Sequence, residues 1–206
     1  DDAQDLVRLV KAVNALRAQG KLLAYHDRSD GGLFAAVAEM AFAGHVGVTL
    51  NVDMLIQEGD GITDSRADHG DSKNWAQQVS ARREDLTLRA LFNEELGVVL
   101  QVRTAERNAV MQTLREHGLS KHSHFVGKTR PESSPIAEGK GELQIWRDTQ
   151  KVFAAKVEDL HQVWDAFSWK ICRERDNPAC ADAEHAVAGQ ANDPGMHVHL
   201  PEALRS

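Results

Sequence analysis

The chain has 206 residues, of which 42% are hydrophobic, 27% charged and 5% aromatic. This is the usual mixture of a globular protein with a mainly aliphatic core, and no apolar run approaches the roughly 20 residues that a membrane helix needs. The formal net charge of -7 argues against a nucleic-acid partner, whose phosphates attract basic surfaces. Two cysteines do not make a disulfide framework. Without a secretory signal, they indicate reduced thiols and a cytoplasmic location.

The first part of the chain alternates between helical and strand patterns. Apolar spacing predicts a helix that ends at Gly20, a buried strand at 22–25, a helix over 33–43 and an alternating strand at 46–52. The stretch 57–85 is rich in Asp, Arg, Ser and Gly, which predicts an exposed and partly disordered insertion.

The second part continues this alternation. We expect strands at 97–103 and 123–128 around a helix at 105–117, then a hairpin of 142–146 with 151–155, and a last amphipathic helix over 157–171. From about Cys180 the composition is typical of a linker or tail. Alternating helices and strands predict an α/β sandwich with a mixed sheet.

A glycine-rich acidic turn between the first strand and the following helix is the candidate site. Its sequence is HDRSDGG, residues 26–32. The free N–H groups and positive end of a helix attract anions, and Gly31 and Gly32 would let the backbone approach a phosphate closely. Asp27 and Asp30 offer the hard oxygen ligands that Mg²⁺ prefers. The turn therefore suits a magnesium-bound polyphosphate.

The same turn also has a structural interpretation, which the spacing alone favours. Asp30 is a common type of N-cap, and glycine pairs occur in many tight turns. In the functional interpretation, Ser29 could donate a hydrogen bond to a phosphate. Arg28 could pair with a phosphate or, in the structural interpretation, with a surface carboxylate. His26 is more typical of a packed or hydrogen-bonded histidine than of a catalyst.

Three segments of the chain resemble phosphoribosylformylglycinamidine synthase in its long, single-chain form. The longest is LAYHDRSDGGL at 23–33, which runs on to AEMAFAG at 38–44. The second is LFNEELGVVLQV at 91–102, and the third is RDNPACADAEH at 175–185. The resemblance covers roughly residues 1–186.

The resemblance implies a place within a larger enzyme. The chain would be the C-terminal subdomain of the second of two AIR-synthetase-like half-modules, with a three-layer α/β/α fold, a mixed sheet and partly ferredoxin-like topology. That subdomain would span 1–179, and a linker at 180–206 would lead to a glutaminase domain. The preceding half-module and the glutaminase domain, which lie outside the chain, would be its partners.

The resemblance also implies an activity. The family consists of ATP-dependent amidoligases that convert formylglycinamide ribonucleotide, glutamine and ATP into formylglycinamidine ribonucleotide, glutamate, ADP and phosphate. Asp27 matches a Mg²⁺ ligand and Ser29 a nucleotide-contacting residue, while Gly31 and Gly32 belong to the ATP or ADP site. Since the other ligands would come from the preceding subdomain, we expect the isolated chain to be inactive.

Two alternatives remain open at this point. The nucleotide could take part in catalysis, or it could be an inert structural element in a module that organises domains. The polar residues Asn93, Glu94 and Glu95 could form a wall of the same site, or a polar turn that ends a short helix. Another ATP-dependent reaction on the same superfamily fold is disfavoured, because the second and third segments extend the match beyond the shared core.

Overall fold

The computed structural model describes residues 2–56, 72–131, 133–134, 136 and 139–191, with residues 72–79 described by their helical backbone alone. The helices in chain order are α1 (Ala3–Ala18), α2 (Gly32–Ala43), α3 (Ser72–Phe92), α4 (Arg107–Glu116), α5 (Val157–Arg175) and α6 (Pro178–Ala188). The strands are β1 (Leu22–Asp27), β2 (Gly47–Asn51), β3 (Val98–Val102), β4 (Gly127–Arg130), β5 (Glu142–Arg147) and β6 (Gln150–Lys156).

The strands form two sheets. β1 pairs antiparallel with β3. The other four strands lie in the order β4-β2-β5-β6, with β2 parallel to β5 and both outer pairings antiparallel. The predicted mixed α/β fold class is therefore confirmed, and β1, which leads into the candidate turn, forms a separate two-stranded sheet with β3.

Two apolar clusters hold these layers together. One joins α2 to the four-stranded sheet, through buried residues that include Leu33, Val37, Leu50, Leu143 and Ile145, and Val99 of β3 packs against it. The other joins α1 to α4, through Ala12, Leu16, Val110 and Leu114, and Leu22 and Leu100 of the small sheet pack against it. The β1–β3 sheet thus contacts both clusters, which fixes the strand that leads into the candidate turn.

The predicted insertion at 57–85 is helical in its second half. Residues 57–71 lie outside the described residues, but α3 runs from Ser72 to Phe92. Near its end, Thr87 and Leu91 are buried. The expectation of partial disorder does not hold for 72–85, which are helical. In the part of α3 whose side chains the structure describes, 80–92, only Thr87 and Leu91 are buried, so this part lacks the broad apolar stripe that periodicity detects.

The predicted linker from Cys180 begins as a helix. The Asn177 side chain accepts a hydrogen bond from the Ala179 N–H at 3.0 Å and so caps α6, with Pro178 in the first turn. α6 packs on α5, where the Trp169 and His185 rings stack with centroids 4.4 Å apart. The linker prediction was wrong as far as residue 188, because the Asn-Pro pair that ends one helix also begins the next. Residues 192–206 lie outside the described residues.

Candidate functional site

The Asp27 carboxylate is exposed at the end of β1. Half-buried and exposed residues alternate along this strand, and Asp27 is the last exposed one. Among the residues that the structure describes, none forms a hydrogen bond or ion pair with its carboxylate. Ser29 and Asp30 are exposed beside it. The oxygens of Asp27 are therefore accessible to a cation or a ligand.

The preceding residue, His26, is held on both sides of its ring. Its Nδ1 donates to the Asp27 carbonyl at 2.6 Å and its Nε2 donates to Glu39 on α2 at 2.7 Å. Since a carbonyl and an ionised carboxylate only accept hydrogen bonds, this geometry fits an imidazolium. The bond to the Asp27 carbonyl is the main cause that raises the pKa of His26, while burial lowers it and Glu39 raises it further.

Glu39 extends this contact to a third element. Its second carboxylate oxygen accepts a hydrogen bond from Trp164 Nε1 on α5 at 2.9 Å. His26 is thus a hydrogen-bonded structural residue, which is the interpretation that the sequence favoured. It ties β1 to α2 and α5 at the first residue of the candidate turn.

The glycines of the turn are packed against the chain itself. Gly31 and Gly32 have φ of 80° and 66°, a left-handed region that glycine enters without strain. A Cβ atom on Gly32 would lie 2.6 Å from the carbonyl oxygen of Leu91 and 2.8 Å from that of Asn93. The close approach that the sequence suggested for a phosphate is made at Gly32 by the backbone of the second resembling segment.

Arg28 bonds the turn to that same segment. Its Nε donates to the Glu95 carbonyl at 2.7 Å, its NH2 to the Leu96 carbonyl at 3.1 Å, and its backbone N–H to the Gly97 carbonyl at 2.8 Å. Desolvation lowers the pKa of Arg28, and the nearby Glu95 carboxylate partly opposes this. The side-chain contacts of its guanidinium are thus to backbone carbonyls and not to a surface carboxylate, while pairing with a phosphate stays a prediction.

Glu94 lies at the beginning of α2. Its Oε1 accepts the Gly31 N–H at 3.0 Å, so a carboxylate satisfies a donor at the positive end of the helix. Asn93 accepts from the Glu95 N–H at 3.2 Å, just after α3 ends. Asn93 thus belongs to a polar turn that follows a helix, and Glu94 contacts the candidate turn, while a role of this segment as a wall of a ligand site stays a prediction. The sequence offered no signal for the contacts of Arg28.

The described residues supply a partial metal site. Among them, no group of three or more His, Cys, Asp or Glu side chains is arranged to hold a metal ion. Mg²⁺ is commonly bound by one or two carboxylates together with substrate phosphates and water. An exposed and unpaired Asp27 fits one ligand of a shared site whose other ligands come from elsewhere.

No helix within the described part of the chain is long and apolar enough to span a bilayer.

Comparison with known families identifies the domain. A family described as AIR synthase related protein, C-terminal domain, matches residues 1–140. The chain belongs to this family. The match includes β1, the candidate turn and the Leu91–Val102 segment, and it ends before β5.

Solved structures of Thermotoga maritima proteins share the fold. PurL complexed with FGAR superposes with a TM-score of 0.52 at 16% identity, covering 74% of this chain and 20% of that chain. PurL complexed with ATP gives 0.52 at 14%, covering 78% and 22%. PurLQS gives 0.53 at 15%, covering 76% and 21%. The chain thus spans about a fifth of the solved chains that it matches.

Proposed function

We propose that this chain is part of a cytoplasmic phosphoribosylformylglycinamidine synthase of the long, single-chain form. It would be the C-terminal subdomain of the second AIR-synthetase-like half-module, completed by the preceding half-module and a glutaminase domain. The whole enzyme would convert formylglycinamide ribonucleotide, glutamine and ATP into formylglycinamidine ribonucleotide, glutamate, ADP and phosphate. Membership of the AIR synthase related family, three resembling segments and a fold shared with PurL chains support this proposal.

The observation that carries the proposal is the exposed Asp27 carboxylate at the edge of a rigid turn. In the proposal, Asp27 is a Mg²⁺ ligand, and bound Mg²⁺ would offset the negative charge of ATP or ADP phosphates. Ser29 donates its hydroxyl to the nucleotide. Gly31 and Gly32 belong to the same site, but the Gly31 N–H already has a hydrogen-bond acceptor. Since Glu94 accepts the Gly31 N–H, a phosphate at that N–H has to replace the Glu94 carboxylate.

One observation favours a second role, in which the nucleotide is an inert structural element. The turn is bonded into the fold by its own Arg28 and by Glu94, and its first residue, His26, is bonded to α2. A rigid site that joins several elements suits a ligand that holds domains together. In that case Asp27 would contribute to assembly rather than to turnover.

The test is Asp27→Asn in the longer polypeptide that contains the partner domains. The substitution keeps the size of the side chain and removes its charge. We expect nucleotide affinity in the presence of Mg²⁺ to fall about 10- to 100-fold, as at other altered metal sites. Equilibrium binding of ADP, ATP-dependent product formation and thermal unfolding should be measured on the same preparation.

Glu84→Gln is the matched control, because it also changes an exposed carboxylate to an amide and lies on α3, outside the candidate turn. Loss of turnover by Asp27→Asn with normal unfolding supports the catalytic role. Joint loss of retained nucleotide and of stability supports the structural role. If Asp27→Asn binds nucleotide and turns over as the control does, both roles are excluded. The isolated 206-residue chain should show no synthase activity.

A further inference from the structure

One side of α5 carries large apolar side chains that are exposed in the described part of the fold. Val163 is 75% exposed, Phe167 74% and Ile171 46%. These residues are spaced by four, so they form one ridge along the helix. Single exposed apolar residues are ordinary, whereas a contiguous group marks a contact surface. We call these three residues the α5 ridge.

The rest of α5 already has its partners. Towards α2, His161 stacks on Phe42 with ring centroids 4.5 Å apart, and Trp164 lies 5.4 Å from the same ring. Towards α6, His185 bonds to Asp165 at 2.7 Å. The α5 ridge therefore lies on a third side of the helix, which the described part of the fold does not cover.

The surroundings of the ridge resemble the edge of an interface. Glu158 and Asp159 are in the first turn of α5, and Arg173 and Arg175 are in its last turn. Interfaces commonly have an apolar centre and a polar, charged rim. Beside the ridge, Trp164 is 55% exposed and borders a cleft of about 440 Å³. A partner side chain could anchor in this cleft.

We propose that the α5 ridge and Trp164 are the docking surface for another domain of the same polypeptide, which would carry basic groups opposite Asp159. This rests on the proposed function, because it requires a longer, PurL-like chain. The chain spans about a fifth of the solved chains that it matches. The ridge also lies beyond residue 140, where the match to the family ends.

The size of the surface favours a tethered domain over a second copy of the chain. At their exposed fractions, the ridge and Trp164 offer on the order of 500 Å², since a large aromatic side chain buries about 150–250 Å². A stable complex of separate proteins buries about 800 Å² per partner. A domain on the same chain needs less, because a short tether gives an effective concentration in the millimolar range.

Hydroxyl-radical footprinting of the longer polypeptide and of this chain alone, without nucleotide, tests the inference. We expect the Phe167 side chain to be several-fold less reactive in the longer polypeptide. In that polypeptide, Val163→Glu with Phe167→Glu should increase cleavage between domains in limited proteolysis. Val152→Glu is the matched control, because Val152 is 42% exposed on β6.

Equal reactivity of Phe167 in both proteins would overturn the inference. So would concentration-dependent dimerisation of the chain alone that Phe167→Glu abolishes, because the surface would then belong to a second copy. Neither readout involves nucleotide or turnover. If Asp27→Asn behaves like its control, the proposed function is rejected and the reactivity of Phe167 is unaffected. If Phe167 is not protected in the longer polypeptide, only the docking surface is rejected.

Discussion

Two turns of this chain each place two consecutive residues in the left-handed backbone region. In one turn both residues are glycines, and in the other neither is. At the candidate site these residues are Gly31 and Gly32, with φ of 80° and 66°. In the β5–β6 hairpin they are Asp148 and Thr149, with φ of 51° and 64°. For a residue with a Cβ atom, this conformation costs roughly 1–2 kcal/mol.

The surroundings of the two turns explain the difference. A Cβ atom on Gly32 would lie 2.6 Å from the Leu91 carbonyl oxygen at the end of α3. The hairpin turn is exposed, and contacts offset its strain: the Asp148 N–H donates to Asp53 at 2.9 Å, and its carboxylate accepts from Arg83. A left-handed backbone thus tolerates a side chain, whereas a close backbone approach does not. The candidate turn is rigid because a distant segment is packed against it.

The largest expected effect is that of Gly32→Ala. It adds strain and forces the turn away from the Leu91–Asn93 backbone, so we expect a loss of about 3–4 kcal/mol in the free energy of unfolding. Gly20→Ala is the control, since Gly20 has φ of 64° and, chain neighbours aside, no atom of the described residues lies within 4 Å of the position that its Cβ would take. It should cost only about 1 kcal/mol. Equal losses in urea unfolding would contradict the comparison.

Arg28→Ala tests the same packing from the other side. The substitution leaves the Glu95 and Leu96 carbonyls without their donors, and we expect a loss of about 2 kcal/mol in the free energy of unfolding. The free energy of unfolding of Arg28→Lys should lie between those of the parent chain and Arg28→Ala, because an ammonium group cannot reproduce both hydrogen bonds of the guanidinium. If Arg28→Ala unfolds like the parent chain, the two segments are not held together by this residue.

A smaller effect of opposite sign is expected in the hairpin. Thr149→Gly removes the strain of a Cβ atom at φ of 64° and should stabilise the chain by roughly 1 kcal/mol. Thr149→Ala retains the Cβ atom and should bring no such gain. Chemical denaturation of the three proteins side by side decides this. A destabilised Thr149→Gly would show that the threonine makes a contribution larger than its strain.

The sequence could predict the first strand, the second helix and the turn between them, because apolar period and glycine position coincide there. It could not predict what holds the turn. Arg28 and Glu95 are 67 positions apart, and neither segment alone indicates the other as its partner. The strand expected at 123–128 begins only at Gly127, since Ser120–His122 forms a short 3-10 turn and the Ser123 hydroxyl bonds back to the Leu119 carbonyl. Such local hydrogen bonds compete with a strand without changing its apolar pattern.

The smallest expected effect is a pH dependence of the free energy of unfolding, and it concerns the candidate turn rather than the hairpin turn. The pKa of His26 is raised in the folded chain from about 6.5 in the unfolded chain. Its contribution to stability is therefore complete below about pH 6.5 and is lost as the pH rises through the folded value. The hairpin turn at Asp148 and Thr149 contains no histidine.

Glu39→Gln isolates this contribution, because it removes the charge opposite His26 and leaves the other histidines unchanged. The His26 and Glu39 side chains are 25% and 29% exposed, so we expect the parent chain to be more stable than the variant by about 1 kcal/mol near pH 6. The two should converge above the folded pKa, where His26 is neutral. Urea unfolding across this pH range measures the difference. A difference that stays constant with pH would show that Glu39 stabilises β1 through shape and neutral hydrogen bonds, and that the candidate turn is held by Arg28 and Glu94 without help from the imidazolium.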